Sequence, residues 1–240
     1  MKTAVRAMFK YKQAFIRNDQ ERYMTFLNNV LQGKATLHAD NVAPYELIRP
    51  YMTWNWNGPS LETMSKSEKD ALNASWASLL DFCSDEDMLA VVDTSGSMHS
   101  SYGLPAAVAL SLGLYLAEHN KGRFRNHFIE FSERPQLIRL KGETFVDKLR
   151  YILTFDEIAD TNLEAVFQLI LCVAVKNKLP QKELPGKLVI ISDMEFNVCV
   201  TNASETNFEN ARRRYEHMAI NFQKSYSGMW EAEIVSSQLQ

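Results

Sequence analysis

The sequence predicts an α/β protein in which a helical segment over residues 1–82 precedes a mostly parallel sheet flanked by helices over residues 83–240. Two short apolar runs, Met88–Val92 and Lys187–Ser192, are typical of strands buried on both faces of a parallel sheet. Segments with helical periodicity alternate with strand-like runs in this region. That alternation implies right-handed crossovers between parallel strands.

The N-terminal segment has helical periodicity throughout. Residues 4–32 carry apolar side chains spaced as on one helix face, which predicts one long helix or two shorter ones ending near Gly33. A short helix is predicted over residues 44–50, which begin and end with proline. Trp54 and Trp56 follow in a turn-rich connector, and we expect them to pack one helix against another.

A third helix is predicted from the capping-box spacing of Ser65 and Glu68. It is expected to continue to about Leu80, with an inward face made of Leu72, Trp76, Leu79 and Leu80. The later elements are predicted as a helix over 104–119, strands over 124–132 and 136–140, and helices over 143–153, 162–179 and 206–222. The inward face of the helix over 162–179 is predicted to carry Leu163, Val166, Phe167, Ile170, Leu171 and Ala174.

The chain ends soon after the last predicted helix. Beyond Phe222, only Ile234–Val235 can begin one short strand. We therefore expect the C-terminal strands of the sheet to be missing, either because the sheet is reduced or because the chain is truncated. A reduced sheet exposes an edge, which predicts self-association through that edge.

Composition and charge exclude several classes of protein. The 26 basic and 29 acidic residues give a net charge of -3, which argues against a dedicated nucleic-acid binder. There is no apolar run of the ~18 residues that a membrane span needs and no secretion signal, so a cytoplasmic protein without membrane association is expected. Cys83, Cys172 and Cys199 form no CxxC pair, and they are expected to be buried small side chains in a reducing compartment.

Small oxygen-bearing side chains follow the predicted strands. Asp93, Ser95 and Ser97 come directly after the first buried strand, Asp193 follows the second, and Thr161 precedes a strong helix. Because ligands of open α/β sheets bind beyond the carboxyl ends of the strands, these donors are expected at one edge. Hydroxyls and carboxylates without His or Cys suit Mg²⁺, Mn²⁺ or Ca²⁺ rather than zinc or copper.

The three stretches MLAVVDTSGSM, DTNLEAVF and LVIISDME resemble the von Willebrand factor A-like (VWA) domain and its metal-ion-dependent adhesion site, or MIDAS. Residues 42–222 further resemble a poorly characterised VWA family of bacteria, phages, large viruses and plants. Helices followed by a VWA domain are also found in the Ro ribonucleoprotein autoantigen, which the arrangement resembles. The resemblance implies a Rossmann-like VWA fold and a MIDAS made of Asp93, Ser95, Ser97, Thr161 and Asp193.

The resemblance also implies a role for each of these residues. Ser95 and Ser97 would bind the metal directly, Thr161 directly or through water, and Asp93 and Asp193 largely through water. Neutral ligands leave much of the charge of Mg²⁺ uncompensated, so an open coordination position attracts an Asp or Glu carboxylate of a protein partner. The expected function is therefore a non-enzymatic, metal-dependent protein-interaction module.

Two positions depart from the VWA pattern. Met194 follows Asp193, where many VWA domains have glycine. Asp160 lies beside Thr161, where it either caps the following helix or adds a negative charge that weakens partner binding.

Other functions have weaker support in the sequence. An RNA-binding protein of Ro-like type is the alternative, with Lys121, Arg123, Arg125 and Arg212–Arg214 as a phosphate-binding face. A phosphotransferase with Asp93 as nucleophile lacks the second acid, because Ser95 stands in its place. A serine hydrolase would need a GxSxG elbow, and no nucleotide-binding or zinc-protease motif is present.

Overall fold

The computed structural model describes residues 3–4, 11–38, 42–52, 60–83, 85, 87–155, 162–192 and 232–236. The chain divides into two compact units. The helical unit contains residues 1–82 together with residues 141–154, and the sheet unit contains residues 83–140 and 155–240. The segment 141–154, which was predicted to belong to the domain over residues 83–240, thus groups with the helical unit.

The described elements have the following bounds. The helices are α1 (Lys12–Leu31), α2 (Pro44–Ile48), α3 (Lys66–Ala77), α4 (Ser100–His119), α5 (Phe145–Ile152) and α6 (Leu163–Lys176). The strands are β1 (Thr3–Ala4), β2 (Leu37–His38), β3 (Met88–Asp93), β4 (His127–Phe131), β5 (Gln136–Arg139), β6 (Lys187–Ser192) and β7 (Ala232–Ser236). Single turns of 3₁₀-helix cover Arg49–Tyr51, Gly96–His99 and Gln181–Glu183. The prediction that residues 1–82 are all-helical is wrong, because β1 and β2 pair in parallel as a two-stranded sheet.

In the helical unit, α1 contains a kink at Asp19, whose φ of −157° and ψ of 64° are not helical. The sequence left open whether this segment forms one long helix or two shorter ones. The structure has two helical stretches that follow each other directly at the kink. Gly33 follows α1 with a φ of +70°, and its N–H donates to the carbonyl of Val30 at 2.9 Å. This left-handed conformation, which favours glycine, confirms the predicted helix end.

Helix α3 begins at the predicted capping box. The Ser65 hydroxyl accepts the Glu68 N–H at 3.3 Å, and the Glu68 carboxylate accepts the Ser65 N–H at 3.0 Å. The helix ends at Ala77, earlier than predicted, so Leu80 lies beyond it and is 46% exposed. The prediction that Leu80 shares the inward face is wrong for this reason. Trp76 does face inward and stacks on Phe145 of α5 with ring centroids 4.1 Å apart.

The sheet unit is built on five strands in the order β5-β4-β3-β6-β7. The pairs β4–β3, β3–β6 and β6–β7 are parallel, and β5 is antiparallel to β4. The prediction of an α/β fold with a mostly parallel sheet flanked by helices is confirmed. Strand β7 includes the predicted Ile234–Val235 and pairs with β6, so β6 is not an edge strand; β5 and β7 flank the described sheet.

One core cluster of the sheet unit lies between the strands and α6. Leu89 and Val91 of β3, and Leu188 and Ile190 of β6, are buried in one cluster with side chains of α6. The α6 members of this cluster are Val166, Phe167, Ile170 and Leu171, with Leu163 partly buried beside them. The predicted inward face of this helix is therefore confirmed, and α6 covers the strands whose ends carry the candidate site.

One cysteine prediction is wrong. Cys172 lies on α6 but is exposed, because it is displaced by two residues from Ile170 and so points away from the buried face. Cys83 is half-buried, and Cys199 lies outside the described residues, as do Trp54, Trp56 and the predicted helix over 206–222. None of the helices within the described part of the chain combines the length and apolar character that a membrane span requires.

Candidate functional site

The candidate site lies where three parallel strands end at the same edge of the sheet. The strand after β3 in the chain, β4, pairs on one side of β3, whereas β6 pairs on the other. Between β3 and β6 the strand order therefore reverses. In open α/β sheets, such a reversal opens a crevice beyond the carboxyl ends of the two strands, where ligands bind.

Asp93 connects the two strands at this reversal. It is the last residue of β3 and only 1% exposed. Its Oδ1 accepts the backbone N–H of Ser95 at 2.9 Å, and its Oδ2 accepts the hydroxyl of Ser192, the last residue of β6, at 2.5 Å. Both carboxylate oxygens are thus held by groups at the ends of neighbouring strands.

Ser95 and Ser97 belong to the turn that follows β3. The 3₁₀ turn Gly96–His99 brings their hydroxyl oxygens to 3.1 Å from each other. Met98 anchors this turn, since its side chain is fully buried and its N–H donates to the Ser95 carbonyl at 3.1 Å. Ser95 is 8% exposed and Ser97 is half-buried, so the hydroxyl pair lies at the border between core and solvent.

This donor pair fits a hard divalent cation. Magnesium binds oxygens at about 2.0–2.1 Å in octahedral geometry, so two adjacent ligands lie about 2.9 Å apart. The 3.1 Å separation of the two serine hydroxyls is close to that value. Among the described residues, no three His, Cys, Asp or Glu side chains form a metal cluster, and the fit therefore depends on hydroxyl donors.

Glu130 is a second buried carboxylate at this edge, and it is not among the residues predicted from the sequence. Glu130 lies within β4 and is 2% exposed. Its Oε1 accepts the Thr94 hydroxyl at 2.9 Å, and its Oε2 accepts the Ser132 hydroxyl at 3.1 Å. An acidic residue inside an otherwise apolar strand, Phe-Ile-Glu-Phe, was the signal that could have identified it.

A further hydrogen bond links β4 to the start of α6. The Ser132 carbonyl accepts the N–H of Asn162 at 3.4 Å. Asn162 is the N-cap of α6, and its side chain accepts the Ala165 N–H at 3.1 Å. Asn162 therefore occupies the cap position of α6, and Asp160, the predicted candidate for capping this helix, lies outside the described residues.

The structure brings together three of the five predicted metal ligands, Asp93, Ser95 and Ser97. Thr161 and Asp193 lie outside the described residues, as do Asp160 and Met194. Asn162 and Ser192, which are adjacent in the chain to Thr161 and Asp193, are both hydrogen-bonded at this edge of the sheet.

The basic residues of the RNA-binding alternative are partly paired with acids. Lys121 forms an ion pair and hydrogen bond with Asp85, and Arg123 lies 3.8 Å from Glu183. Arg212–Arg214 lie outside the described residues. Since Asp85 lies three residues before the start of β3, its partner Lys121 is at the opposite end of that strand from Asp93.

Comparison with known proteins gives two family matches and a viral relative. Residues 2–89 match the domain of unknown function DUF2828, and residues 87–224 match the domain of unknown function DUF7788. An uncharacterised protein of Acanthamoeba polyphaga mimivirus is 29% identical over 231 residues, which cover 91% of this chain and 39% of the viral protein. The chain thus spans less than half the length of that relative. Because the DUF7788 model matches more than half of the chain, this protein belongs to the DUF7788 family.

Proposed function

We propose that this protein is a non-enzymatic interaction module of VWA type that uses a divalent cation, Mg²⁺ in the first instance, to bind a carboxylate of a protein partner. The observation that supports it most directly is the Ser95–Ser97 hydroxyl pair, 3.1 Å apart and next to the buried Asp93. This pair lies at the reversal of strand order, where open α/β sheets bind ligands.

The chemistry of the donors supports recognition of an anion. Ser95 and Ser97 are neutral, so a cation that they bind retains most of its charge. Asp93 keeps its carboxylate engaged with Ser95 and Ser192, and it acts in this proposal through water rather than as a direct ligand. Thr161 and Asp193 complete the proposed set. Exchange of the remaining ligand of Mg²⁺ for an Asp or Glu side chain is then the binding event.

The same donors argue against a hydrolase. A serine nucleophile needs a neighbouring base that takes its proton. The Ser95 and Ser97 hydroxyls contact each other. The neighbouring carboxylate, that of Asp93, accepts the backbone N–H of Ser95 at one oxygen and the hydroxyl of Ser192 at the other. Hydroxyls committed to a metal are poor nucleophiles, which favours binding over catalysis.

The first experiment is calorimetric titration of Mg²⁺ into wild type, Ser95→Ala and Asp93→Ala. We expect a binding heat for wild type that is lost or strongly reduced in both variants. Ser111→Ala is the matched control, since Ser111 is buried in the same unit but donates to the Val108 carbonyl within α4. Equal heats for wild type and Asp93→Ala would contradict the proposal.

The partner class is tested separately. Capture of a partner that requires Mg²⁺ and is abolished by EDTA supports carboxylate recognition. Binding of single-stranded RNA that weakens steeply with salt and is unaffected by EDTA would instead support the RNA-binding alternative.

A further inference from the structure

Ser192 carries a fully buried hydroxyl that the predicted ligand set does not use. It is the last residue of β6, a strand that is apolar from Leu188 to Ile191. In the parallel register of the two strands Val92 pairs with Ile191, so Asp93 and Ser192 are the next residues of β3 and β6. The Ser192 hydroxyl donates to Oδ2 of Asp93 at 2.5 Å. The register of the sheet thus places a hydroxyl donor against the Asp93 carboxylate.

The hydrogen bond from Ser192 limits what the Asp93 carboxylate can offer to a cation. An ionised carboxylate accepts at about four lone-pair positions on its two oxygens. The Ser95 N–H takes one position on Oδ1 at 2.9 Å, and the Ser192 hydroxyl takes one on Oδ2. Donors on both oxygens fix the plane of the carboxylate and stabilise its negative charge. Asp93 is therefore a weaker direct ligand than a carboxylate with one oxygen free of donors.

We propose that Ser192 is a positioning residue that keeps Asp93 from becoming a direct ligand of the cation, an inference that rests on the proposed function. Ser192 acts through Asp93 and does not itself contact the cation. Because it holds Oδ2 at the end of β6, the neutral hydroxyls of Ser95 and Ser97 are the described groups that contact the ion. The ion then keeps the positive charge that attracts a carboxylate of the partner.

Thr94 provides a matched control for this role. Its hydroxyl donates to Oε1 of Glu130 at 2.9 Å, so it is also a buried hydroxyl bonded to a buried carboxylate at the same edge. Thr94→Val keeps the shape of the side chain and removes this bond, but it releases no oxygen of Asp93. Ser192→Ala removes a bond of the same kind and does release Oδ2. A substitution that only loosens the surroundings of metal ligands typically weakens metal binding about 10–100-fold.

The test measures Mg²⁺ affinity by calorimetry and counts the water ligands of bound Mn²⁺ from the broadening that isotopically labelled water causes in its electron paramagnetic resonance spectrum. We expect Ser192→Ala to bind Mg²⁺ about tenfold more tightly and to lose a water ligand on Mn²⁺, because the released oxygen of Asp93 takes its place. Thr94→Val should bind Mg²⁺ more weakly with all water ligands kept. Ser192→Thr keeps the hydroxyl and should match wild type in both measurements.

Two results would overturn the role of Ser192. One is a Ser192→Ala variant that binds Mg²⁺ no more tightly than wild type, and the other is a variant that keeps every water ligand. In either case the hydroxyl would only support the structure of the site, as that of Thr94 does. If Ser192→Ala fails to fold, Ser192→Cys decides the question. Its thiol is a weaker donor, so both measurements should move in the same directions by a smaller amount, and no movement would overturn the inference.

The outcomes also separate this inference from the function on which it rests. Equal Mg²⁺ heats in wild type and Asp93→Ala, or no heat in wild type, would overturn both. A wild-type heat that is lost in Asp93→Ala, combined with a Ser192→Ala variant that behaves like wild type or like Thr94→Val, would overturn the role of Ser192 alone.

Discussion

The Asp93 side chain shows how a single residue prepares the candidate site. Its Oδ1 takes the backbone N–H of Ser95, not the hydroxyl, and the Ser95 hydroxyl is left to face that of Ser97. Its Oδ2 takes the hydroxyl of Ser192 across the strand reversal. The carboxylate therefore shapes the turn by its hydrogen bonds, while the two neutral hydroxyls, at the border between core and solvent, are the groups that the proposed cation would contact.

Close packing of a helix on β3 gives a prediction for Gly113. A Cβ at this position of α4 would lie 2.3 Å from Cγ2 of Val92, a short and rigid side chain. We expect Gly113→Ala to lower the free energy of unfolding by about 1–3 kcal/mol, because an added methyl forces a shift in a packed core. Denaturant unfolding measures the change.

The control for Gly113→Ala is Gly186→Ala in the same unit. A Cβ on Gly186 would meet only the Asp87 carbonyl oxygen at 3.5 Å, which is an ordinary contact. This variant should change the unfolding free energy by no more than about 0.5 kcal/mol. An equal loss in both variants would show that alanine at any glycine is harmful and that the contact with Val92 is not the cause.

Tyr23 in α1 gives a prediction with a pH dependence. Its ring is buried, its hydroxyl has no partner among the described residues, and burial raises the pKa of the phenol to about 12. The unfolded chain ionises this group near its ordinary value of 10, so stability falls as the pH rises from about 10 to 12. Tyr23→Phe should be more stable by about 1 kcal/mol at neutral pH, since a buried hydroxyl without a partner is costly.

Stability curves from pH 7 to 11 test this prediction. Tyr23→Phe should lose less stability above pH 10 than wild type, whereas Tyr11→Phe, at an exposed tyrosine of the same unit, should follow wild type. Identical alkaline slopes for wild type and Tyr23→Phe would contradict the buried-phenol explanation.

At the scale of elements, the start of α5 is stabilised by a capping box that is also an acid-sensitive contact. The Thr144 hydroxyl accepts the Asp147 N–H at 3.2 Å and donates to the Asp147 carboxylate at 2.7 Å. The hydrogen bonds from Thr144 lower the pKa of Asp147, with a smaller contribution from Arg150. The stability that this contact provides is therefore present above pH 3.8, the ordinary pKa of Asp147, and is lost as the pH falls through its lowered pKa.

We expect Thr144→Ala to lower the free energy of unfolding by about 1 kcal/mol at pH 7. The effect should be smaller at acid pH, once the pH has fallen through the lowered pKa of Asp147 and its carboxylate is protonated. Thr154→Ala, which removes a hydroxyl that donates to the Tyr151 carbonyl near the other end of α5, is the control and should have a smaller effect. The same difference at both pH values would show that the carboxylate half of the box contributes nothing.

The elements themselves were largely predictable, because their signals are local. The continuous burial of β3 and β6 follows from their runs of apolar residues. Helix α3 begins after the capping residue Ser65, and α6 begins after the capping residue Asn162, both near the predicted positions. Leu80 was misplaced because periodicity does not show where a helix ends. The sequence pattern at Leu79 and Leu80 continues the apolar face, whereas the backbone leaves the helix after Ala77.

The candidate site was predictable only in part. Asp93, Ser95 and Ser97 are within five residues of each other, so their spacing is visible in the sequence. Glu130 is close enough to accept the Thr94 hydroxyl because the parallel register of β3 and β4 places Val92 beside Glu130. Such pairing depends on how two distant strands align, and no local pattern specifies it.

At the scale of the whole molecule, the proposed ligands come from distant parts of the chain. Asp93 ends β3, Thr161 precedes α6 and Asp193 follows β6, so 100 residues separate the first from the last. In the unfolded chain nothing holds these groups close to one another. A cation bound there would therefore bind the folded sheet unit in preference and stabilise it by mass action.

This linkage predicts that Mg²⁺ raises the stability of the sheet unit and leaves the helical unit unchanged. At a concentration 100 times the dissociation constant, the gain in the free energy of unfolding is about 2.7 kcal/mol. Differential scanning calorimetry in Mg²⁺ and in EDTA measures it, with the unfolding of each unit followed by hydrogen exchange of β3 and α3 amides. Asp93→Ala should abolish the gain, and Ser111→Ala should keep it despite a lower starting stability. A shift of equal size in wild type and Asp93→Ala, or in the amides of α3, would mean that the ion acts elsewhere, because only ligands brought together by the folded sheet can couple binding to its stability.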